Sequence, residues 1–593
     1  MSRHVLRRGF WSCVVALYAI QTSLGGSATW AESPGSGDWN TATNWLPQTV
    51  PNGPGDTATF GRSNLVGITM SAVLEVDSIV FDPSAMTFSL TTNPSAIVTL
   101  SGAGILNNSG NTQTFVVNVT DASTSGFIFH NNATAGQKSL FWNIGGEIYM
   151  EDTADAGAAD INVTGVGSRQ GHLTFFDNAT AGQALIATDG FAYTSFLDVT
   201  TGGDAVLTTS DGGVVGFSTN SSAERATLQC AGGSEAGRGG GGVDFDSSAT
   251  ASESYLVING AAVARAIAAH AQLVDAARGG NAIFLINGAA VTGAEGATMT
   301  LYQDSTAEAA SITINGGSNG GGGASLFFFD HSDGGTASIA IFDNGQMDIG
   351  NRARPGVTIG SLEGNGLVYL GAKTLTIGSN NQSKVFSGTI QDGGVNHGTG
   401  GSLVKIGAGT LTLSGSNSYT GTTTVSSGAL QVSNSTGSAT GTGAINVNGG
   451  TLGGKGIIAG PATIGTGSGP GAFLAPALGS KTQATLTIQS ALTLNADATY
   501  TYSFKAKKNK SRTDLVKANG VTINGATIDL AGTTQGNLKR GLTLTLISNT
   551  SANSINGAFS NLAEGAIVTV NGNNFQASYT GGDGNDLTLT LVP

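Results

Sequence analysis

Short stretches of alternating apolar and polar residues, four or five long and closed by glycine, recur along most of the chain: ALIATDG, YLVINGA, IFLINGA, SITINGG and SIAIFDNG. A period of two with β-branched residues predicts half-buried strands, and the glycines predict corners between them. Between these stretches a second phrase returns with small changes. FHNNATAG begins at Phe129 and FFDNATAG at Phe175, followed by looser copies from Phe196, Phe217, Phe245, Leu273, Leu301 and Phe328. With the gap between the first two copies counted as two units, the copies lie roughly 20 to 28 residues apart, and each unit reads as strand, polar turn, strand, glycine.

A unit of that size cannot bury its apolar face alone, so the economical solution is to coil it and stack each coil on the next. The expected fold is all-β, a right-handed parallel β-helix (solenoid) with capping segments and a C-terminal β-rich domain. Phe175, Phe217 and their equivalents are expected to form internal ladders at about 4.8 Å per coil, while polar neighbours stack at the turns. A chain of β-sandwiches also uses many short strands. It does not repeat one phrase at so short an interval. Alanine-rich residues 261–280 favour helix on propensity, yet Leu273–Gly280 aligns with the repeat, so a strand is expected near Leu273 with a short helix or loop before it. The glycine clusters at 237–242 and 316–323 are expected to be loops between coils.

Composition narrows the function classes. Glycine contributes 92 of 593 residues without a G-X-Y period, which excludes collagen, and the steady supply of Val, Ile, Leu and Phe argues against general disorder. The formal net charge is −13, against nucleic acid and anionic membrane as partners. Residues 1–31 run from MSRHVLRR through an apolar stretch to small residues and read as a secretory signal peptide cut after Ala28 or Ala31. Losing Arg3, Arg7 and Arg8 with it makes the remainder more acidic still. Beyond it no apolar run is long enough for a membrane helix, and Cys230 is the sole remaining cysteine, so no disulfide framework is expected.

From residue 403 the sequence reads LVKIGAGTLTLSGSNSYTGTTTVSSGALQVSN. Lys405, Gly407, Gly409, Thr410, Leu411, Leu413, Gly415, Asn417, Tyr419, Gly421, Thr424, Val425, Gly428, Leu430 and Val432 resemble the autotransporter-associated β-strand repeat of large secreted bacterial proteins. The segment with Trp39, Trp45, Pro51, Gly55, Asp56 and Phe60 is similar to the amino-terminal part of proteins carrying that repeat, and its aromatics are expected to cover the first open coil. The stretch from Gly471 to Pro593 is similar to their closing part. The resulting organisation is a signal peptide (1–31), an N-terminal β-cap (32–100), a solenoid with degenerate repeats (101–360), a solenoid containing the repeat (361–470, core match 403–434) and a C-terminal β-rich cap or small domain (471–593). A membrane barrel of about 12 strands needs more chain than follows Pro470. The resemblance therefore implies a passenger-like body, exported through the Sec pathway to the surface or exterior of a bacterium, with passage beyond the periplasm left to other machinery.

Chemistry is sparse. Asp177, Asp198, Asp246, Asp275, Asp304 and Asp330 recur near the turn of the middle repeat. Stacked carboxylates suit calcium or acid/base work on a glycan, but a residue that tracks a repeat is what turn capping produces, whereas a catalytic group is needed once. His4, His130, His172, His270, His331 and His397 show no ligand spacing. GGDGND at 581–586 is a single copy where calcium motifs work in tandem, and reads as a tight turn. KAKKNKSR at 505–512 is the one basic run, read as a solvated hairpin loop with an acidic-glycan or cell-envelope contact as the alternative. No catalytic, cofactor-binding or metal-ligating residue is assigned. The sequence favours a secreted or cell-surface non-catalytic solenoid that is adhesive, structural or matrix-associated and meets an extracellular glycan or cell-envelope component. The alternative is a β-helix enzyme that binds or cleaves polysaccharide.

Overall fold

A computed structural model describes residues 25–119, 123–353, 355–480 and 482–593. The expected signal peptide lies outside the described residues up to position 24. The chain forms two compact units, Met1–Val206 and Leu207–Pro593. Both are β-solenoids built on parallel pairing, and the sole helical element among the described residues is one 3-10 turn, Ala42–Asn44.

In the first unit, Gly126–Phe129, Glu147–Met150, His172–Phe175 and Tyr193–Phe196 stack in parallel, each pairing residue for residue with the next. Gln113–Asn118, Gln137–Ile144, Ala158–Thr164 and Leu185–Asp189 form the opposite wall. Inward positions alternate along most of these strands, as at Ile148 and Met150 or Thr194 and Phe196, which are buried, while Asp177 in the following turn is exposed. Four residues suffice for a strand because two inward side chains fill half the width of the narrow core. Phe175 lies flat on Phe196, with centroids 4.5 Å apart and planes at 5°.

The repeated phrase is explained position by position. Two residues after Phe129, Met150, Phe175 and Phe196 the backbone turns left-handed, at Asn131, Asp152, Asp177 and Asp198. Asn and Asp tolerate that region better than other side chains. Small inward residues follow, such as Ala179 and Ala181, with no room for larger ones. Between them Thr134, Asp155, Thr180 and Thr201 bridge from rung to rung. A second left-handed corner closes the phrase at Gly136, Gly157, Gly182 and Gly203.

The open end of this unit is sealed by aromatics. Ala28–Trp30 pairs with Trp45–Leu46 and with Gly53–Phe60. Trp30, Trp39, Trp45 and Phe60 pack with centroids 4.9–6.0 Å apart. Each indole N–H reaches a carbonyl: Trp30 donates to Leu65, Trp39 to Pro51 and Trp45 to Trp39. Cleavage after Ala28 leaves Trp30 in this cluster, whereas cleavage after Ala31 removes it.

In the second unit the same design runs at a longer period. Val214–Phe217, Gly242–Phe245, His270–Leu273, Thr298–Leu301 and Ser325–Phe328 form one wall. Thr227–Cys230, Tyr255–Ile258, Ile283–Ile286, Ser311–Ile314 and Ser338–Ile341 form the other. Asn259, Asn287 and Asn315 make a side-chain ladder, each amide donating to the carbonyl oxygen of the one before at 2.9 Å. From Gly356–Ile359 a third wall appears, and its parallel pairing runs through Thr374–Ile377 and Ser402–Lys405 and on to Asn556–Ala558. Thr543–Asn549, Asp586–Val592, Asn573–Gly581 and Ile567–Val570 pair antiparallel at the C-terminal end.

The alanine-rich segment forms a strand at His270–Leu273, as expected, and no helix precedes it. Residues 231–241, 260–269, 288–297 and 316–324 are successive loops stacked on one another. Gly237 donates to Arg265 O, Arg265 to Gly293 O, and Ala289 to Gly322 O. Ala261, Ala266, Ala268, Ala289 and Ala294 bury a small apolar cluster between them. A Cβ on Gly288 or Gly296 would collide with the backbone of the following loop. Contacts between neighbouring loops thus override helix propensity.

Candidate functional surface

The recurrent acidic residues divide. Asp177, Asp198, Asp275 and Asp330 occupy the left-handed corner, while Asp246 and Asp304 fall one residue before and after it, where Ser247 and Gln303 take the corner instead. In the first unit Asp152 accepts from the Asn131 N–H at 3.0 Å, Asp177 from Asp152 at 3.3 Å and Asp198 from Asp177 at 3.4 Å. In the second, Gln303 accepts from the Asp275 N–H and Asp330 from the Gln303 N–H. A side-chain oxygen on each rung therefore satisfies a backbone donor on the rung before, a task glutamine performs as well as aspartate. Asp246 takes hydrogen bonds from Ser218 and Ser247.

Other carboxylates hold loops. Asp348 accepts from Gly350 and Val395, and Asp514 from Ala484 and Ser503. Asp497 accepts from Thr466, Gly467 and Gly469; these backbone donors outweigh the opposing effect of burial and hold its carboxyl below the usual range. Histidines sit beside carboxylates of neighbouring rungs: His130 lies 3.1 Å from Asp152, His270 3.6 Å from Asp244 and His331 3.5 Å from Asp304. Among the described residues no three His, Cys, Asp or Glu side chains converge to hold a metal ion. Cys230 is buried, and burial pushes its thiol up to about 12, which leaves it unreactive at neutral pH. In the GGDGND segment, Gly582 and Gly584 have positive φ, and Asp586 accepts from the Asn549 N–H, tying the turn to the adjacent strand. Shallow depressions at Gln48–Asn52 and beside Lys384 and Gln431 bring no acid and base together.

The segment 402–432 supplies four strands, Ser402–Lys405, Thr410–Leu413, Thr423–Val425 and Ala429–Val432. Its buried polar residues hold the backbone. Lys405 occupies an inward strand position, 1 % exposed, and its ammonium donates to the carbonyls of Ile406 at 2.5 Å, Gly407 at 3.0 Å and Ser427 at 3.4 Å. Gly407 and Gly428 have φ of 70° and 67°, and a Cβ on Gly428 would strike the Gly407 and Gly409 carbonyls. Asn417 accepts from the Ile390 N–H and donates to Ala439 O, clamping three rungs. Tyr419, fully buried, shares a 2.6 Å hydrogen bond with Thr423. The alternation S-L-V-K marks position 405 as inward, but lysine type alone reads as surface.

Burial brings the Lys405 ammonium down to about 8. The unfolded chain holds its proton to near 10.4. Between those values the unfolded state binds the extra proton, so stability attributable to Lys405 rises with pH from about 8 to above 10 and is flat below. Urea unfolding of the protein and of Lys405→Met across this range is the check. A gap between the two that stays constant from pH 7 to 10.5 would contradict the assignment.

No curated protein matches the chain. Residues 403–432, whose lysine, asparagine and tyrosine hold the winding of the backbone, match the passenger-associated-transport-repeat, so the chain carries an autotransporter-associated repeat within a parallel β-solenoid.

Proposed function

We propose that the protein is a secreted or cell-surface solenoid, exported through the Sec pathway, that acts without catalysis as an adhesive, structural or matrix-associated element. An extracellular glycan or cell-envelope component is its partner. One observation carries this reading: Asp152, Asp177, Asp198 and Asp330 each hold a backbone N–H of the rung before, and Lys405 of the matched repeat holds backbone carbonyls, so these charged groups serve the winding. A surface built so is regular and polar within each unit, suited to display. Chemistry on a glycan needs a unique acid and base on one coil.

The protein is expected to yield no reducing ends or unsaturated products from a panel of plant and microbial polysaccharides. Asp177→Ala with Asp330→Ala is expected to lower stability by about 1–2 kcal/mol per site, the cost of a left-handed alanine. Cleavage by the natural protein that this double variant lacks would establish the enzymatic alternative. Fractionation of cells carrying a tagged copy is expected to place it outside the inner membrane, and retention in the cytoplasm would count against the proposal.

A further inference from the structure

The basic run lies on a hairpin that folding alone does not explain. Ala498–Lys507 and Lys510–Thr513 pair antiparallel, placing Lys505 directly opposite Arg512 and Lys507 directly opposite Lys510. Opposed residues share a face with Cβ atoms about 5 Å apart, and like charges so placed repel. The inward neighbours on the long strand, Phe504 and Ala506, are buried, so all four cations point outward. At the hairpin tip Lys508 holds a φ of 53°, a left-handed conformation for which glycine or asparagine is the ordinary choice. The Lys539 N–H donates to Lys508 O, bringing the exposed pair Lys539 and Arg540 beside the tip. No carboxylate lies within ion-pair distance of any of these seven cations among the described residues. The flanking strand Thr527–Gln535 offers Thr533 and Gln535 next to Lys505 and Lys507, and its one acid, Asp529, stands opposite Thr501.

We infer that this hairpin is a binding face for an extended anionic polysaccharide, whose carboxylate or sulfate groups neutralise cations that the fold leaves opposed. Residues two apart on a strand lie about 7 Å apart, so Lys505, Lys507, Lys510 and Arg512 offer charge in two close rows. Most are lysines, point charges on flexible stems that suit groups of varied geometry. The neighbouring Thr and Gln are hydrogen-bonding partners for sugar hydroxyls. The aromatic platform on which single-stranded nucleic acid stacks is not on this face. The inference names the polymer class for the glycan partner proposed above and rests on that reading only for where the encounter occurs. Binding by the hairpin in solution stands or falls independently of the chain's location.

The test uses the full chain with polygalacturonate, heparin and neutral dextran. Polygalacturonate, heparin or both should bind, with affinity falling steeply between about 50 and 200 mM salt, and dextran should not. The two polyanions distinguish carboxylate from sulfate recognition. K505Q/K507Q/K510Q/R512Q should bind at least about tenfold more weakly while melting no lower than the natural protein, because it removes repulsion. K505R/K507R/K510R should retain binding. Absence of binding to both polyanions at low salt, undiminished binding by the glutamine variant, loss of binding in the charge-preserving variant, or preference for duplex DNA or anionic vesicles would each overturn the inference.

Discussion

Trp45→Ala is expected to destabilise the N-terminal end of the first unit by about 3–5 kcal/mol, the usual cost of emptying a large aromatic site. Trp45 is fully buried and central to the seal, 5.0 Å from Trp30, 4.9 Å from Trp39 and 5.5 Å from Phe60, with near-perpendicular contacts to the two other indoles. Its N–H donates at 2.7 Å to Trp39 O, so truncation also strands an acceptor. In a stacked array each rung touches only its neighbours, so the loss should be local. Hydrogen exchange should lose protection across Ala28–Phe60 first, and the variant should self-associate through its uncovered strand edge. Unchanged protection in that segment would show that the aromatics are not the seal.

Phe245→Ala in the second unit should cost a similar 3–5 kcal/mol. Its ring is 5.0 Å from Phe217 with planes at 8°, and its strand is paired on both sides. The informative comparison is Phe245→Leu. The next two rungs carry Leu273 and Leu301 at the same register position, so the core already accommodates leucine there. That substitution should cost less than about 1.5 kcal/mol. Guanidinium unfolding of the two variants separates the cases. Equal losses would mean that stacking geometry, not filled volume, holds the ladder.

The winding was legible in the sequence because one phrase encodes a whole rung: Phe175 inward, Asp177 at a left-handed corner, Ala179 and Ala181 in a tight bend, Gly182 at the second corner. The recurrence of Asp pointed to turn capping, and the hydrogen bonds from rung to rung place it there for Asp177, Asp198 and Asp330. Asp246 and Asp304 departed because a one-residue offset from the Phe or Leu anchor is invisible when acidic residues are matched by eye. For residues 261–269 the sequence left helix or loop open, since the force that keeps them from coiling is the next loop, about 28 residues away in sequence. Lys405 was matched by residue type, but its burial was not legible for the opposite reason: its partners are carbonyls, which carry no side-chain signature. The opposed charges of the 505–512 hairpin required the strand register, because a run of lysines in sequence does not say which of them face one another.

The stacked alanine and glycine loops of the second unit carry a consequence for degradation. Arg238 and Arg265 stand in connections that elsewhere are the first segments a trypsin-like protease engages, because a scissile stretch must lift away from the body to enter the enzyme. Here the Ile267 N–H donates to Arg238 O and the Arg265 N–H to Gly293 O. Lifting one connection therefore breaks bonds to others. Cleavage at these exposed arginines is therefore expected to be slower than in a free loop, with the restraint supplied by bonds between small-residue connections and not by a disulfide.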